Sequence, residues 1–344
     1  IEHIRLRAGM YIGSIEEAGL HHIFLEILSN SIDEYLNSSC DHISVTLTKN
    51  TNEIRIKDNG RGIPHGTHES GCSILEAVFG ITNTGGKYND DGSGGYNSTG
   101  GMNGIGAKAT NALSEYFIAE SVRDGKYERV TFNRGTAIEH ILEDSDSKDH
   151  GVCITFKPDA EVLNVVKFNE DKIKKQMEEF SYLCKGLLLA FENENTGEKV
   201  SYYSKNGLLD YLNAVNQKTT VISEPCYFAG EGLEFAFVFN ASSSYQYKLY
   251  TNNIPQLKGT HHTGFKTALT SEFNKYAKEK GLFKENDSNL QGTDLEEGQT
   301  LILSYRMVAP VYEGQNKENL TSAEARTAVQ KIAAEGIRTW LNDN

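Results

Sequence analysis

The chain has 344 residues, enough for two domains, and 34 basic against 47 acidic side chains give it a net charge of −13. That balance excludes a surface wholly devoted to nucleic acid and leaves room only for a local basic patch. There is no run of about 18 apolar residues to span a membrane, and the five scattered cysteines form no close pair, which argues against a zinc site or a disulfide framework.

Residues 1–6 read as the end of a helix, broken at Ala8-Gly9. Over residues 19–34, Leu20, Ile23, Phe24, Ile27, Leu28 and Ile32 recur at helical spacing, which predicts a helix with one buried face. His22, Glu26 and Asn30 step by four and Asp33 follows at three, so these four share another face. A carboxylate, an imidazole and an amide in one column can form a site, although an amphipathic helix with a mixed polar side looks the same. Residues 43–47 and 53–57 alternate apolar and polar side chains and predict two strands joined by a turn. The second runs into Asp58-Asn59-Gly60-Arg61-Gly62-Ile63-Pro64, where glycines beside an Asp allow close backbone approach to a flat ligand.

Residues 85–106 hold nine glycines and lead into a helical run at 107–113. Backbone N–H groups of such a loop, backed by a helix start, suit a phosphate chain, whereas a flexible linker would be the plain alternative. A strand at 152–156 closes a first domain, here set at 1–160, with the second at 161–344. In the second, Ile173, Met177, Phe180, Cys184 and Leu187 form an apolar stripe that reads as core. Strands are expected at 200–203, 234–240, 247–250 and 300–308, and helices at 263–280 and 322–341. Lysines 248, 258, 266, 275, 278, 280 and 284 gather where acidic residues are few, either as a solvated face or as a DNA-facing patch.

Three signals now stand in order: Glu-x3-Asn on a helix (Glu26, Asn30), Asp-x-Gly-x-Gly after a strand (Asp58, Gly60, Gly62), and a glycine lid. Together they resemble the Bergerat (GHKL) ATP fold of type II topoisomerases, Hsp90-type chaperones, MutL-type repair proteins and sensor kinases. Arg7-Ala8-Gly9-Met10-Tyr11-Ile12-Gly13, the 58–64 run, Thr84-Gly85-Gly86-Lys87-Tyr88 and Asn111-Ala112-Leu113-Ser114 are similar to the B subunits of DNA gyrase and topoisomerase IV, with no choice between the two. So are Thr251-Asn252-Asn253-Ile254-Pro255, residues 259–265 and the Gln-x-Lys run at Gln315-Asn316-Lys317. The resemblance implies an α+β chain: a Bergerat-type α/β sandwich ATPase domain followed by a ribosomal-protein-S5-like α/β transducer domain.

It also implies roles. Glu26 would be the general base for the attacking water, with His22 positioning it, and Asn30 would complete a Mg2+ shell around ATP. Asp58 would accept from the adenine amino group, Gly62, Ile63 and Pro64 would wall the base, and Arg61 would pair with Glu34. Gly101, Met102, Asn103, Gly104, Ile105 and Gly106 would line the phosphates, with Gln315 and Lys317 on the terminal one. Lys87, Tyr96, Arg129 and Val152 also fall at nucleotide-site positions. The implied partners are a second copy of the chain in an ATP-dependent dimer, the topoisomerase A subunit through regions outside this chain, and double-stranded DNA, in the bacterial cytoplasm at the nucleoid. Without the usual N-terminal arm, weakened dimerisation is expected. Ser29, Asn103 and Val152 depart from the gyrase pattern and bring the water network around the base into question.

Overall fold

The structure, a computed structural model, describes residues 1–37, 39–81, 105–284, 287–314 and 317–344. It divides into two compact units, Ile1–Ser204 and Lys205–Asn344.

The first unit runs α1 (Glu2–Leu6), α2 (Ala8–Ile12), α3 (Glu17–Leu36), β1 (His42–Leu47), β2 (Ile54–Asp58), α4 (Ile74–Gly80), α5 (Gly106–Ala112), β3 (Ser114–Arg123), β4 (Lys126–Asn133), β5 (Thr136–Asp144), β6 (Gly151–Pro158), α6 (Glu170–Leu183), β7 (Leu188–Asn193) and β8 (Glu198–Tyr202). Its eight strands order as β5-β4-β3-β6-β2-β1-β7-β8, antiparallel except for the parallel pair β1–β7. One face of the sheet presents Val45, Ile56, Phe117, Ala119, Val130, Ile154 and Phe156, all buried. Against the sheet lies α3, whose Leu20, Ile23, Phe24, Ile27, Leu28 and Ile32 are equally buried, as their spacing requires. Each such side chain contributes about 1.5–3 kcal/mol, so burial rather than helix propensity holds α3 in place. With that stripe fixed, the polar column of α3 is aimed by geometry.

The compact units divide at 204/205, and the 160/161 boundary expected from the sequence falls inside the first of them. The reason is one strand pairing: β7 lies in register beside β1, from His42↔Leu188 to Leu47↔Asn193, so residues 161–204 complete the first sheet. The stripe Ile173, Met177 and Phe180 is core, as expected, but it belongs to this first unit.

The second unit runs α7 (Leu208–Asn216), β9 (Cys226–Gly230), β10 (Leu233–Phe239), β11 (Gln246–Thr251), β12 (Ile254–Gln256), β13 (Lys258–Gly259), α8 (Thr260–Glu279), α9 (Gly292–Glu296), β14 (Gln299–Tyr305), β15 (Asn319–Leu320) and α10 (Ala323–Asp343). Five strands order as β12-β11-β14-β10-β9, and β13 pairs in parallel with β15. All seven residues of β14 are buried at the centre of the sheet. Around them Phe235, Phe237 and Phe265 meet edge to face at 5.1 and 6.0 Å between rings. Helices α8 and α10 approach closely at Gly264, where an added Cβ would stand 2.3 Å from the Arg326 carbonyl oxygen.

Candidate active site

On α3, His22 Nε2 lies 3.4 Å from Glu26 Oε1, and both side chains are partly open to solvent, at 35% and 22%. Asn30 follows one turn later, half-buried, while Asp33 on the same side is fully buried. The Glu26 carboxylate meets backbone on its other side. A Cβ built on Gly106, the first residue of α5, would fall 1.7 Å from Glu26 Oε2, so only glycine allows this approach. Thr110 Oγ1 donates to the Ile23 carbonyl at 3.1 Å and ties α5 to α3. The result is a carboxylate held between an imidazole and a helix start, able to take a proton from a water in front of it.

Asp58 ends β2 and is buried at 4% exposure. Its Oδ2 accepts from Ser31 Oγ at 2.8 Å, and its Oδ1 accepts from the Gly60 and Val152 amides at 2.9 and 3.2 Å. Burial pushes the Asp58 carboxyl up from its usual range, while the Ser31, Gly60 and Val152 donors oppose that shift. Those three donors leave a carboxylate with lone pairs to offer a ligand's N–H, the requirement for reading an adenine amino group. Backbone is crowded close to it: a Cβ on Gly151 would stand 2.1 Å from the Asp58 carbonyl oxygen.

The segment after Asp58 is pinned to the sheet. Ser121 Oγ accepts from the Ile63 amide at 2.8 Å and donates to its carbonyl at 3.1 Å, and Arg123 Nη1 donates to the Gly62 carbonyl at 3.2 Å. Gly62 sits at φ +74°, and a Cβ there would stand 2.5 Å from the Val122 carbonyl oxygen. Arg61 Nε and Nη2 donate to the two Glu34 oxygens, each at 3.1 Å, so the expected edge pair is present.

The structure thus brings together His22, Glu26, Gly106 and Thr110, and separately ties Asp58, Val152, Gly62, Ile63, Arg61 and Glu34 to the same helix through Ser31 and Glu34. It does not bring Arg129 to them. Arg129 follows Glu128 on β4, so its side chain points to the opposite sheet face, where Nη2 pairs with Glu139 Oε2 at 2.7 Å. Lys87, Tyr96, Gly101, Met102, Asn103, Gly104 and Gln315 lie outside the described residues. Ser31, Ser121, His150 (whose Nδ1 is 2.5 Å from the Gly60 carbonyl oxygen) and Gly151 escape a sequence reading, because only the packing of distant segments delivers them.

In the second unit, Lys317 takes φ +54°, uncommon for a lysine, two residues before β15 begins. The next carbonyl, of Glu318, accepts from the Leu257 and Lys258 amides at 2.9 and 3.3 Å, which anchors this stretch beside β13. The lysine cluster is partly neutralised: Lys266 pairs with Glu296 at 2.8 Å, Lys275 with Glu272 at 2.6 Å and Lys258 with Glu313 at 3.7 Å. Among the described residues, no helix is long and apolar enough to cross a membrane.

Two family models match the chain, one within each unit. Residues 15–162 match the family described as histidine kinase-, DNA gyrase B-, and HSP90-like ATPase, and residues 207–344 match DNA gyrase B. The chain is 37% identical over its whole length to the B subunit of DNA topoisomerase 4 from Bacillus subtilis, covering 53% of it. It is 37% identical to the B subunit of DNA gyrase from Clostridium acetobutylicum, covering 55%. It therefore spans about half the length of these curated relatives. The crystal structure of the 43K ATPase domain of Thermus thermophilus gyrase B, in complex with an aminocoumarin, superposes with a TM-score of 0.84 at 31% identity, over 100% of this chain and 90% of that one. The chain belongs to the family of DNA gyrase and topoisomerase IV B subunits.

Proposed function

We propose that this chain binds and hydrolyses ATP as the N-terminal region of a type IIA topoisomerase B subunit, that ATP binding closes a dimer gate for DNA strand passage, and that hydrolysis resets it. One observation carries the reading: the helix that aims His22 and Glu26 also holds, through Ser31, the buried Asp58 carboxylate at 2.8 Å. A base-reading acceptor and a proton acceptor on one rigid element would fix both ends of a nucleotide.

In this mechanism Glu26 orients the attacking water and takes its proton, with His22 holding the carboxylate in place. The adenine amino group donates to Asp58, between the wall of residues 62–64 and the Arg61–Glu34 edge. Gly106, with Ile105 and the lid residues 101–104, supplies backbone N–H groups to the phosphates. Asn30, one turn from Glu26, offers an amide oxygen suited to Mg2+, which when bound would neutralise phosphate charge. Among the described residues no cluster of His, Cys, Asp and Glu could hold a metal ion, so the donor set fits an ion carried largely by the substrate's phosphates. By the family resemblance, Lys87 and Tyr96 would also belong to the nucleotide site, with Tyr96 at the ribose.

Residues 1–160 supply the ATP-binding domain of the family pattern, and the second domain, from 161 in that pattern, carries Gln315 and Lys317 to the terminal phosphate. The left-handed backbone of Lys317 beside the β13–β15 pair supports a lysine presented from a fixed turn. The partners are a second copy of the chain, the A subunit and double-stranded DNA, in the bacterial cytoplasm at the nucleoid. Lys278, Lys280 and Lys284 are the part of the basic patch best suited to phosphate contact, since Lys258, Lys266 and Lys275 face carboxylates.

The test is ATP turnover with Mg2+ as a function of chain concentration, with Lys317→Ala alongside. The expected result is a rate that rises more steeply than linearly with protein, and a variant that binds ADP normally but turns over at least about tenfold more slowly. A linear rate, unaffected by Lys317→Ala, contradicts the gate and the switch.

A further inference from the structure

The wall beside Asp58 continues into His65, and there the structure holds a group of side chains that the hydrolysis mechanism does not use. The His65 ring is 10% exposed and reaches two oxygens: Nε2 lies 3.0 Å from the Arg123 carbonyl, and Nδ1 lies 2.8 Å from Glu128 Oε2. Glu128 is 1% exposed, and its other oxygen lies 3.0 Å from His140 Nε2 on β5.

Proton counting constrains this arrangement. A carbonyl oxygen only accepts, so His65 Nε2 must carry a hydrogen. The Nδ1–Glu128 contact then needs one further proton, because a neutral imidazole and a carboxylate would set two lone pairs against each other at 2.8 Å. That proton sits either on the imidazole, making an ion pair, or on the carboxyl. His140 adds no such requirement, since a neutral ring donates from Nε2 to the other Glu128 oxygen.

We propose that His65 and Glu128 form a one-proton clamp that holds residues 62–65 in their base-binding position, so that adenine-nucleotide affinity depends on the hydrogen bond between them. The clamp rests on the reading of Asp58 as the base acceptor. His65 and Glu128 are positioning residues: neither touches the nucleotide. Without the shared proton, the backbone of the wall keeps its bonds to Ser121 and Arg123 but loses its tie to β4.

The other charged groups near the clamp are engaged elsewhere. The Arg123 guanidinium donates to the Gly62 carbonyl and to Asp124, and Lys126 pairs with Asp144 at 3.0 Å along the β4–β5 hairpin. In the loop, His68 bonds Ser70 at 2.9 Å and Glu69 is exposed; on α4 the single ionisable side chain is Glu76.

Glu128→Gln isolates the effect. Its amide N–H would donate permanently to His65 Nδ1 and its amide oxygen would accept from His140, so the clamp would close without the extra proton. The experiment is ADP titration of the whole chain with Mg2+ for wild type, Glu128→Gln and Glu128→Ala, with thermal melts to verify folding. Glu128→Gln should keep the wild-type affinity, and Glu128→Ala should bind about tenfold more weakly, the scale of one charge-assisted hydrogen bond. In turnover the same loss should appear in KM and not in kcat. A folded Glu128→Ala variant that binds ADP as tightly as wild type, or a Glu128→Gln variant as weak as Glu128→Ala, overturns the clamp alone. Absence of ADP binding by wild type overturns the base-site reading and the clamp with it.

Discussion

Helices α3 and α8 are each 20 residues long and each carries two adjacent histidines near its start, yet the two pairs do different chemistry. In α3 one ring goes each way. His21 is buried and its Nε2 accepts from the Asn169 amide at 3.2 Å, while His22 stands partly open beside Glu26. In α8 both rings are inside: His261 is wholly buried, and His262 lies 2.6 Å from the Tyr245 hydroxyl and packs on Tyr247 at 4.8 Å. Burial pushes their pKa values down to about 3 and about 4. A His-His pair on a helix is therefore not a signal by itself. What separates His22 from the packing rings is a carboxylate one turn away and access to solvent, and α3 supplies both.

Substitutions can break this contrast, beginning with the largest effect. His261→Ala should destabilise the chain by about 3 kcal/mol through the cavity it leaves, while His22→Ala should leave the melting temperature nearly unchanged and slow turnover. Thermal melts and steady-state rates on the two variants check this, and a large stability loss from His22→Ala would erase the distinction. Next comes Gly106→Ala. The added Cβ must displace the Glu26 carboxylate, so turnover should fall about 100-fold while ADP affinity stays within a few-fold.

Per pH unit, the smallest effect is acid sensitivity. Because His261 and His262 resist protonation in the fold, the unfolded chain takes up protons that the folded one does not. Their contribution is complete above the ordinary histidine value of 6.5 and is lost as pH falls toward about 4 and then about 3. The slope is about 1.4 kcal/mol per pH unit for each ring. Denaturant melts between those limits measure it, and His262→Gln should remove its share.

The same contrast explains what was legible in the sequence. The buried stripe of α3 and its polar column follow from 3.6-residue spacing alone, and the Asp58 turn follows from two glycines after an alternating strand. The shared family motifs then assign Lys317, which as a lone residue is a surface lysine. Other features depend on pairings between distant residues. The unit boundary lies at 204/205 because β7 joins β1, a parallel pairing with no local signature. Strand β5 is almost wholly exposed, so its apolar residues Ile138 and Leu142 give no buried-face pattern. Arg129 shows the reverse error: its place in a family pattern suggests the pocket, but the strand pleat turns it to the other face, onto Glu139. Ser31, Ser121 and Glu128 become meaningful only once packing between distant elements sets them beside Asp58, Ile63 and His65.

The central claim is that Glu26 is the proton acceptor of an ATP site built on α3. It is tested most directly by measuring nucleotide binding and ATP turnover on the same preparations of the wild-type chain and Glu26→Gln, with Mg2+ present. The account predicts that Glu26→Gln binds ATP as tightly as wild type and turns it over about 10²–10⁴-fold more slowly. Turnover at the wild-type rate by a variant that still binds ATP would contradict it.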